Sequence, residues 1–292
     1  MTAPSDLMPG CDGAQVSPGG RIGSGGKHDG GKDRTKLKRK GIVMRIIFTS
    51  CGNDSIALTQ WAKENNNGDR VIVAYSDTGW AANFWNDRVA AVADWVESIG
   101  FEFVRIQSIG FRDACIKNGG FPRSDMQFCT RVLKREPANK WMDEIDADMS
   151  AICTIGIRRE ESANRAQFPE WTEYSENHGG RSLHAPLVRY TEAMRNELLS
   201  RTPFQPMSAR SKECYPCVHA RVQEIALLPD REISKVRILE REVSEKRGRV
   251  STMFRPEKHG GAVGIDAVIE HRRKTNDMFG DGFSCDGGWC GS

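Results

Sequence analysis

The stretch FTSCGNDSIAL, residues 48–58, joins an apolar run to a helix-like pattern through a polar turn of small residues. The run before the turn is typical of a buried strand, and Ile56, Trp61 and Ala62 recur near the helical period after it. A strand that passes directly into a helix can return to the same sheet only through a crossover. The stretch therefore predicts a β-strand, a tight turn and the first helix of a parallel α/β sheet.

Strand and helix signals alternate along the first half of the chain. Strand-like runs occupy residues 71–75, 101–106 and 151–156, whereas helical patterns end at Gly100 and span roughly residues 130–146. Parallel strands that are separated by helices form a sheet with helices on both faces. We therefore predict the α/β class, with a doubly wound, Rossmann-like parallel sheet.

The composition is that of a water-soluble protein. The chain has 292 residues, of which 38% are hydrophobic and 28% are charged, so it can form one large α/β domain with an elaboration. No apolar run approaches the roughly 18 residues of a membrane span, and the N-terminus lacks the segments of a secretory signal. These features predict a cytoplasmic protein with no membrane partner, and they leave its oligomeric state open.

The turn of residues 50–55 follows the first predicted strand, where ligands bind in open parallel sheets. The N-terminus of the next helix offers free N–H groups and the positive end of a dipole, which suit a phosphate. Ser50 and Ser55 add hydroxyl donors, and Gly52 lets an anion approach the backbone. A plain connection with Asp54 or Ser55 as the N-cap of the helix is equally consistent with the spacing.

Four motifs together resemble a known family. SCGNDS resembles the S-G-G-x-D-S PP-loop of ATP pyrophosphatases. YSDTGW at residues 75–80, FCTRVLKREP at 128–137 and GIRREESANRA at 156–166 resemble, in the same order, segments of the phosphoadenosine phosphosulfate (PAPS) reductase family. The chain is therefore similar to that family of the PP-loop superfamily, and within it to the branch of DNA phosphorothioation and sulfurtransferase-like proteins.

The resemblance implies a site for ATP or PAPS with Mg²⁺. It implies that the loop holds the phosphates, that Asp77 lies near the nucleotide or its metal, and that Arg158 stabilises phosphate charge. Asp54, Asp77 and Arg158 are the implied catalytic residues. The implied nucleotide-binding residues are Ser50, Gly52, Asn53, Asp54, Ser55, Asp77 and Arg158. On the residues alone, Asp77 is also consistent with a turn-forming aspartate, and Arg158 with an ion pair to Glu160 or Glu161.

The loop departs from the family pattern at Cys51, which replaces the first glycine of the pair. If the backbone requires a positive φ there, a cysteine is strained. We expect the loop to tolerate this residue and to keep its nucleotide.

The distribution of charge and of hydrophobic patterns divides the chain into three predicted regions. Residues 1–43 are basic and rich in glycine, and we expect a disordered tail, with Met44 as an alternative start of the protein. Residues 1–44 contain eight Lys or Arg and four Asp, so residues 45–292 carry a net charge of −1. We expect a PP-loop nucleotide-binding domain at residues 44–190, and a helical region that carries cysteines at 191–292.

Nine cysteines and the absence of a signal peptide favour metal or redox chemistry over disulfides. Cys214 and Cys217 have a spacing that lets two thiolates bind one metal or cluster. The residues alone leave zinc, an iron–sulfur cluster and ordinary thiols open. The resemblance favours a 4Fe-4S cluster on Cys129, Cys214, Cys217 and Cys290, with Cys285 as a substitute for the fourth ligand.

Three functions are consistent with these features. The first is ATP-dependent, pyrophosphate-releasing sulfur transfer to a nucleic acid, DNA or tRNA, with a sulfur donor such as a cysteine desulfurase and an iron–sulfur cluster. The second is phosphoadenylyl-sulfate or adenylyl-sulfate reduction with Cys290 as the nucleophile. The third is nucleotide binding without catalysis. Basic residues at 271–274 and at 237–249 are consistent with a nucleic-acid contact or, because acidic residues alternate with them, with a solvated helix face.

Overall fold

A computed structural model describes residues 43–123, 126–208, 210–254 and 263–279. Residues 1–42 of the predicted tail, together with Cys285 and Cys290, lie outside these ranges. Within them, no helix has both the length and the apolar character that a membrane span requires.

The sheet has six strands in the order β3-β2-β1-β4-β6-β5. Every neighbouring pair is parallel except β5 and β6, which are antiparallel. The predicted α/β class with a mostly parallel sheet is confirmed. The short strands β5 and β6 were not predicted. The strands are β1 (Met44–Thr49), β2 (Arg70–Asp77), β3 (Glu102–Gln107), β4 (Ile152–Thr154), β5 (Trp171–Thr172) and β6 (Ser182–His184).

Helices connect the strands and continue after the sheet. The helix predicted near residues 130–146 is a composite, because α4 passes through a π-helical segment at Arg131–Arg135 into α5. The helices are α1 (Asn53–Asn65), α2 (Trp85–Ser98), α3 (Phe111–Asn118), α4 (Phe128–Thr130), α5 (Glu136–Ile145), α6 (Glu192–Ser200), α7 (Val222–Ala226), α8 (Asp230–Arg247) and α9 (Gly264–Phe279).

The central strand β1 is buried on both faces. Ile47 packs in one core with residues of α1, α2 and α6, whereas the neighbouring Ile46 packs in another core with Met142 of α5. Both isoleucines have no exposed surface. Successive side chains of a strand point to opposite faces, so a continuous apolar run is what a doubly covered strand needs.

A third core joins the later helices to the loops that follow β2 and β3. The stripe of Ile233, Val236, Leu239 and Val243 on α8 is buried there, against a cluster that includes Trp80. The stripe therefore packs helix α8 against the segments that follow β2 and β3.

Candidate functional site

A cleft of about 1110 Å³ lies at the carboxyl ends of β1 and β4. The chain runs from β1 outward to β2 and β3, then returns to place β4 on the other side of β1. The strand order therefore reverses between β1 and β4, and such switch points are where open α/β sheets bind ligands. Six of the seven nucleotide-binding residues implied by the resemblance line the cleft: Ser50, Gly52, Asn53, Asp54, Ser55 and Arg158.

Hydroxyl groups hold the loop between β1 and α1. Thr49 Oγ1 donates to Ser55 Oγ at 3.0 Å and accepts from the N–H of Cys51 at 2.9 Å, while Ser55 Oγ donates to the carbonyl of Gly52 at 3.0 Å. Gly52 is the N-cap of α1, and the cap has no side-chain hydrogen bond. The interpretation that Asp54 or Ser55 is the N-cap is therefore wrong, because both residues lie inside the first helical turn.

Cys51 has a φ of +56° and no exposed surface. The backbone thus takes the left-handed conformation that a glycine adopts at no steric cost, and the cysteine accepts strain on the order of 1 kcal/mol. The Arg88 Nε atom donates to the Cys51 carbonyl at 2.7 Å and helps to fix this conformation. Burial raises the pKa of the Cys51 thiol to about 12, so the thiol is protonated at neutral pH. Its side chain belongs to the core and not to the lining of the cleft.

Gly156, after β4, closes the cleft against the start of α1. A Cβ atom at this position would lie 2.9 Å from the carbonyl oxygen of Asp54. That distance is shorter than a van der Waals contact, so only glycine lets the two segments approach this closely. The motif that begins at Gly156 therefore allows close packing against α1 and also supplies charged side chains to the cleft.

Asp54 lies between two arginines from distant parts of the chain. Arg158 Nε donates to its Oδ1 atom at 2.6 Å, and Arg195 Nη1 approaches the same oxygen at 3.4 Å. Arg158 is 6% exposed and Arg195 is 4% exposed. Arg195 comes from α6 and was missed at the sequence level, because the pattern of that helix carried no recognisable chemistry. Only a contact across 141 residues identifies it.

Two predicted residues have structural partners of their own. The Asn53 side chain donates to the carbonyl of Met207 at 2.7 Å and accepts from its N–H at 3.0 Å, which ties the PP-loop to a later segment.

Asp77 does not line the cleft. Its carboxylate accepts from the N–H of Gly79 at 2.9 Å and pairs with Arg105 at 3.4 Å, as in a turn-forming aspartate.

The cleft is positively charged overall. Its lining has seven Lys or Arg and four Asp or Glu side chains, a net charge of +3. The π-helical segment supplies Arg131, Lys134 and Arg135 on one wall. Desolvation disfavours the charged form of Lys134, but the ion pair with Glu213 outweighs it and raises the lysine pKa. Arg210 also lines the cleft and makes no ion pair within the described ranges.

A comparison with protein families matches residues 45–213 to the phosphoadenosine phosphosulfate reductase domain. The match includes the loop, both arginines that contact Asp54, and the π-helical wall. The chain belongs to the PAPS reductase family. The resemblance inferred from the four motifs is thereby confirmed.

Two relatives of this PAPS reductase family member have been found among curated proteins. An uncharacterized 37.8 kDa protein of Escherichia phage 186 is 30% identical over 165 residues, which are 51% of this chain and 48% of the phage protein. An uncharacterized protein of Methanocaldococcus jannaschii is 29% identical over 99 residues, which are 34% of this chain and 20% of that protein. The chain therefore spans about half or less of the curated relatives it matches.

Two solved structures resemble this PAPS reductase family chain at 14% identity. A PAPS reductase from Candida auris, in a phosphate complex, aligns with a TM-score of 0.40 over 53% of this chain and 71% of that one. The U34-tRNA thiolase NcsA from Methanococcus maripaludis, with its 4Fe-4S cluster, aligns with a TM-score of 0.42 over 87% and 77%. Neither similarity assigns a substrate to this chain.

The loop that carries Cys214 and Cys217 is attached to the turn after β2. Thr78 Oγ1 donates to the carbonyl of Glu213 at 2.6 Å, and the N–H of Tyr215 donates to the carbonyl of Trp80 at 2.7 Å. In this family member the DTGW segment therefore anchors the cysteine loop, although the resemblance placed it near the nucleotide.

The thiols of Cys129, Cys214 and Cys217 interact with one another. Burial raises the pKa values of Cys129 and Cys214, and the nearby Cys217 raises both further. The donor types suit a thiolate-bound cluster. Nevertheless, in the part of the chain that the structure describes, no three His, Cys, Asp or Glu side chains are arranged to hold a metal ion. A four-thiolate site would need Cys290 or Cys285, both outside that part.

Proposed function

We propose that the chain is an ATP-dependent enzyme that adenylates a nucleic acid for sulfur transfer. An oxygen of the acceptor, DNA or tRNA, attacks the α-phosphorus of ATP, the bond to the bridging oxygen breaks, and pyrophosphate leaves. A hydrosulfide ion from a sulfur donor then forms a carbon–sulfur bond, and AMP leaves with the former acceptor oxygen. Adenylation thus replaces a poor leaving group by a good one, which is the general advantage of such two-step chemistry.

The position of Asp54 between Arg158 and Arg195 carries this proposal. Two nearly buried guanidinium groups need anions to compensate them, and within the described ranges each pairs, besides Asp54, only with an exposed glutamate, Glu160 or Glu192. Their planar forks match phosphate oxygens. They lie beside the N-terminus of α1, which also favours an anion. When phosphates bind, we expect both arginines to exchange part of their contact with Asp54 for phosphate oxygens.

Asp54 is the carboxylate that we propose for the Mg²⁺ ion of bound ATP. Carboxylate and phosphate oxygens are the ligands that Mg²⁺ prefers, and the ion would neutralise the charge that develops on the leaving pyrophosphate. We assign no nucleotide contact to Asp77, because its carboxylate is engaged in its own turn and with Arg105.

Pyrophosphate release from ATP, measured with Asp54→Asn and Asp77→Asn side by side, tests the function. Asp54→Asn should lower the rate at least 100-fold, because it removes the metal ligand and the charge that orients both arginines. Asp77→Asn keeps an oxygen for the N–H of Gly79 and should remain within about threefold of the unmodified protein. Loss of activity in the Asp77 variant alone would contradict the assignment. Thioredoxin-dependent reduction of PAPS without ATP cleavage would instead assign the reductase function.

We also propose a 4Fe-4S cluster on Cys129, Cys214, Cys217 and Cys290. Cys217 raises the pKa values of both Cys129 and Cys214, which supports the cluster because such an effect requires proximity. Anaerobic purification should yield about four iron and four sulfide per chain, with loss of both in Cys217→Ser. Stoichiometric zinc without sulfide would contradict the cluster. Comparison of Cys290→Ser with Cys285→Ser identifies the fourth ligand.

A further inference from the structure

A second cavity, of about 930 Å³, adjoins the nucleotide cleft. The two cavities share Asn118, Phe128 and Arg131 in their linings, so they adjoin at these residues, and together they are called the depression below. The second cavity extends from the end of β3 to the outer face of α5. Nothing in the proposed adenylation chemistry requires this space for ATP itself.

Positive charge is concentrated in this depression. The second cavity is lined by four Lys or Arg and two Glu side chains, and the two cavities together by ten basic and six acidic side chains, a net charge of +4. Residues 45–292 as a whole have a net charge of −1, so the remainder of that part of the chain is at −5. A local excess of one sign on an oppositely charged body attracts a polyanion and orients it.

Two of the four basic side chains that line the second cavity are available to bind a ligand. Lys117 and Lys140 are exposed, and neither forms an ion pair or hydrogen bond within the described ranges. By contrast, the exposed Arg112 and Arg237 outside these two cavities each form a two-pronged ion pair, with Glu242 and Asp266. Lys117 and Lys140 have no such carboxylate partner within the described ranges, so a ligand in the depression can bind them by replacing water.

Apolar surface lies between these cations. Trp141 lines the second cavity and Ile109 is 50% exposed at its edge, whereas Phe128, at the junction with the nucleotide cleft, is mostly buried in the core. Cations interspersed with aromatic surface are the arrangement that binds single-stranded nucleic acid, because phosphates pair with the cations and bases lie on the rings. An acidic peptide has no comparable use for the aromatic surface.

We propose that the second cavity binds the single-stranded segment of nucleic acid next to the acceptor nucleotide, with Arg131 at the junction. This inference rests on the proposed function, since it supplies the path along which the acceptor reaches the α-phosphorus. Lys117 and Lys140 contact backbone phosphates on that path.

Fluorescence anisotropy with a labelled single strand of about 16 nucleotides tests the path. The double variant Lys117→Gln/Lys140→Gln should bind the strand at least tenfold more weakly. The plot of the logarithm of the association constant against the logarithm of the salt concentration should become less steep by about 1.4, the value for two phosphate contacts. The matched control Lys63→Gln/Lys246→Gln removes two exposed lysines outside both cavities and should bind like the unmodified protein.

Three results would overturn the inference: no strand binding by the unmodified protein, equal weakening in the control variant, or displacement of the strand by polyglutamate at the same charge concentration. Calorimetry of the unmodified protein with ATP separates this inference from the proposed function. ATP binding without strand binding overturns only the path, whereas strand binding without ATP binding overturns the adenylation chemistry.

Discussion

The Nε atom of Arg158 donates to Oδ1 of Asp54 at 2.6 Å, although 104 residues separate them along the chain. The contact joins the first turn of α1 to the segment after β4, across the point where the strand order reverses. Arg195 of α6 also contacts Asp54, so three segments of the chain meet at this carboxylate. Removal of one partner from such a buried group leaves charge without compensation, so each member affects both binding and stability.

Arg195→Gln should weaken ATP binding while the fold is retained. The variant removes one charge-assisted hydrogen bond, worth roughly 1.5–3 kcal/mol, which corresponds to about 10- to 100-fold in Kd. The other partners of this arginine are Asn196 and the solvent-exposed Glu192, which water can solvate after the substitution. Calorimetry with ATP measures the effect. Arg201→Gln, which removes a surface arginine outside the cleft, is the control, and an equal loss of affinity there would contradict the role of Arg195.

Cys51→Gly and Cys51→Val should differ in stability because of the backbone conformation at residue 51. Glycine accepts a φ of +56° without strain but leaves a small cavity, so we expect its free energy of unfolding to stay within about 1 kcal/mol of that of the unmodified protein. Valine is branched at Cβ and disfavours this conformation, so its free energy of unfolding should fall by about 2 kcal/mol or more. Urea denaturation measures both. Equal stabilities would mean that the loop relaxes to a negative φ.

Lys235→Met should expose the cysteine loop to reagents. Lys235 Nζ donates to the carbonyl of Tyr215 at 2.7 Å and lies 4.3 Å from the centre of the Trp80 ring. The substitution also removes the ion pair with the buried Glu232, so together these losses cost at least about 1.4 kcal/mol, about tenfold in the opening equilibrium. The metal-free protein should therefore react about tenfold faster with a thiol reagent. Lys246→Met, on the same helix, is the control, and equal rates would contradict the anchoring role.

Stability should fall as the pH drops below about 6.5, the ordinary pKa of histidine. Burial lowers the pKa of His178 to about 4, so between these values the unfolded chain takes up a proton that the folded chain does not. At pH 5, the uptake of this proton by the unfolded chain lowers the free energy of unfolding by about 2 kcal/mol relative to neutral pH. His178→Gln should show a correspondingly smaller fall in a series of urea titrations from pH 7 to pH 5. An unchanged pH dependence would show that His178 titrates normally in the folded protein.

Local patterns in the sequence predicted the first four strands, their order along the chain and the turn between β1 and α1. The apolar run of β1 is distinctive because a strand buried on both faces cannot alternate with polar residues. The two- and three-residue strands β5 and β6 are too short for a periodic signal, and they were missed. The Asp77 motif indicated a nucleotide contact, but in the structure its carboxylate forms a turn, and the segment after it holds the cysteine loop.

The α/β class, the family and the residue types of the PP-loop could be read from the sequence, because they depend on periodicity and on residues adjacent in the chain. The contact of Arg195 with Asp54, and the position of Lys117 and Lys140 in a cavity beside the cleft, became visible only in the folded chain. Those relationships depend on the order of strands in the sheet and on how helices pack across it. Strand order follows from the packing of all the elements together, and no single segment encodes it.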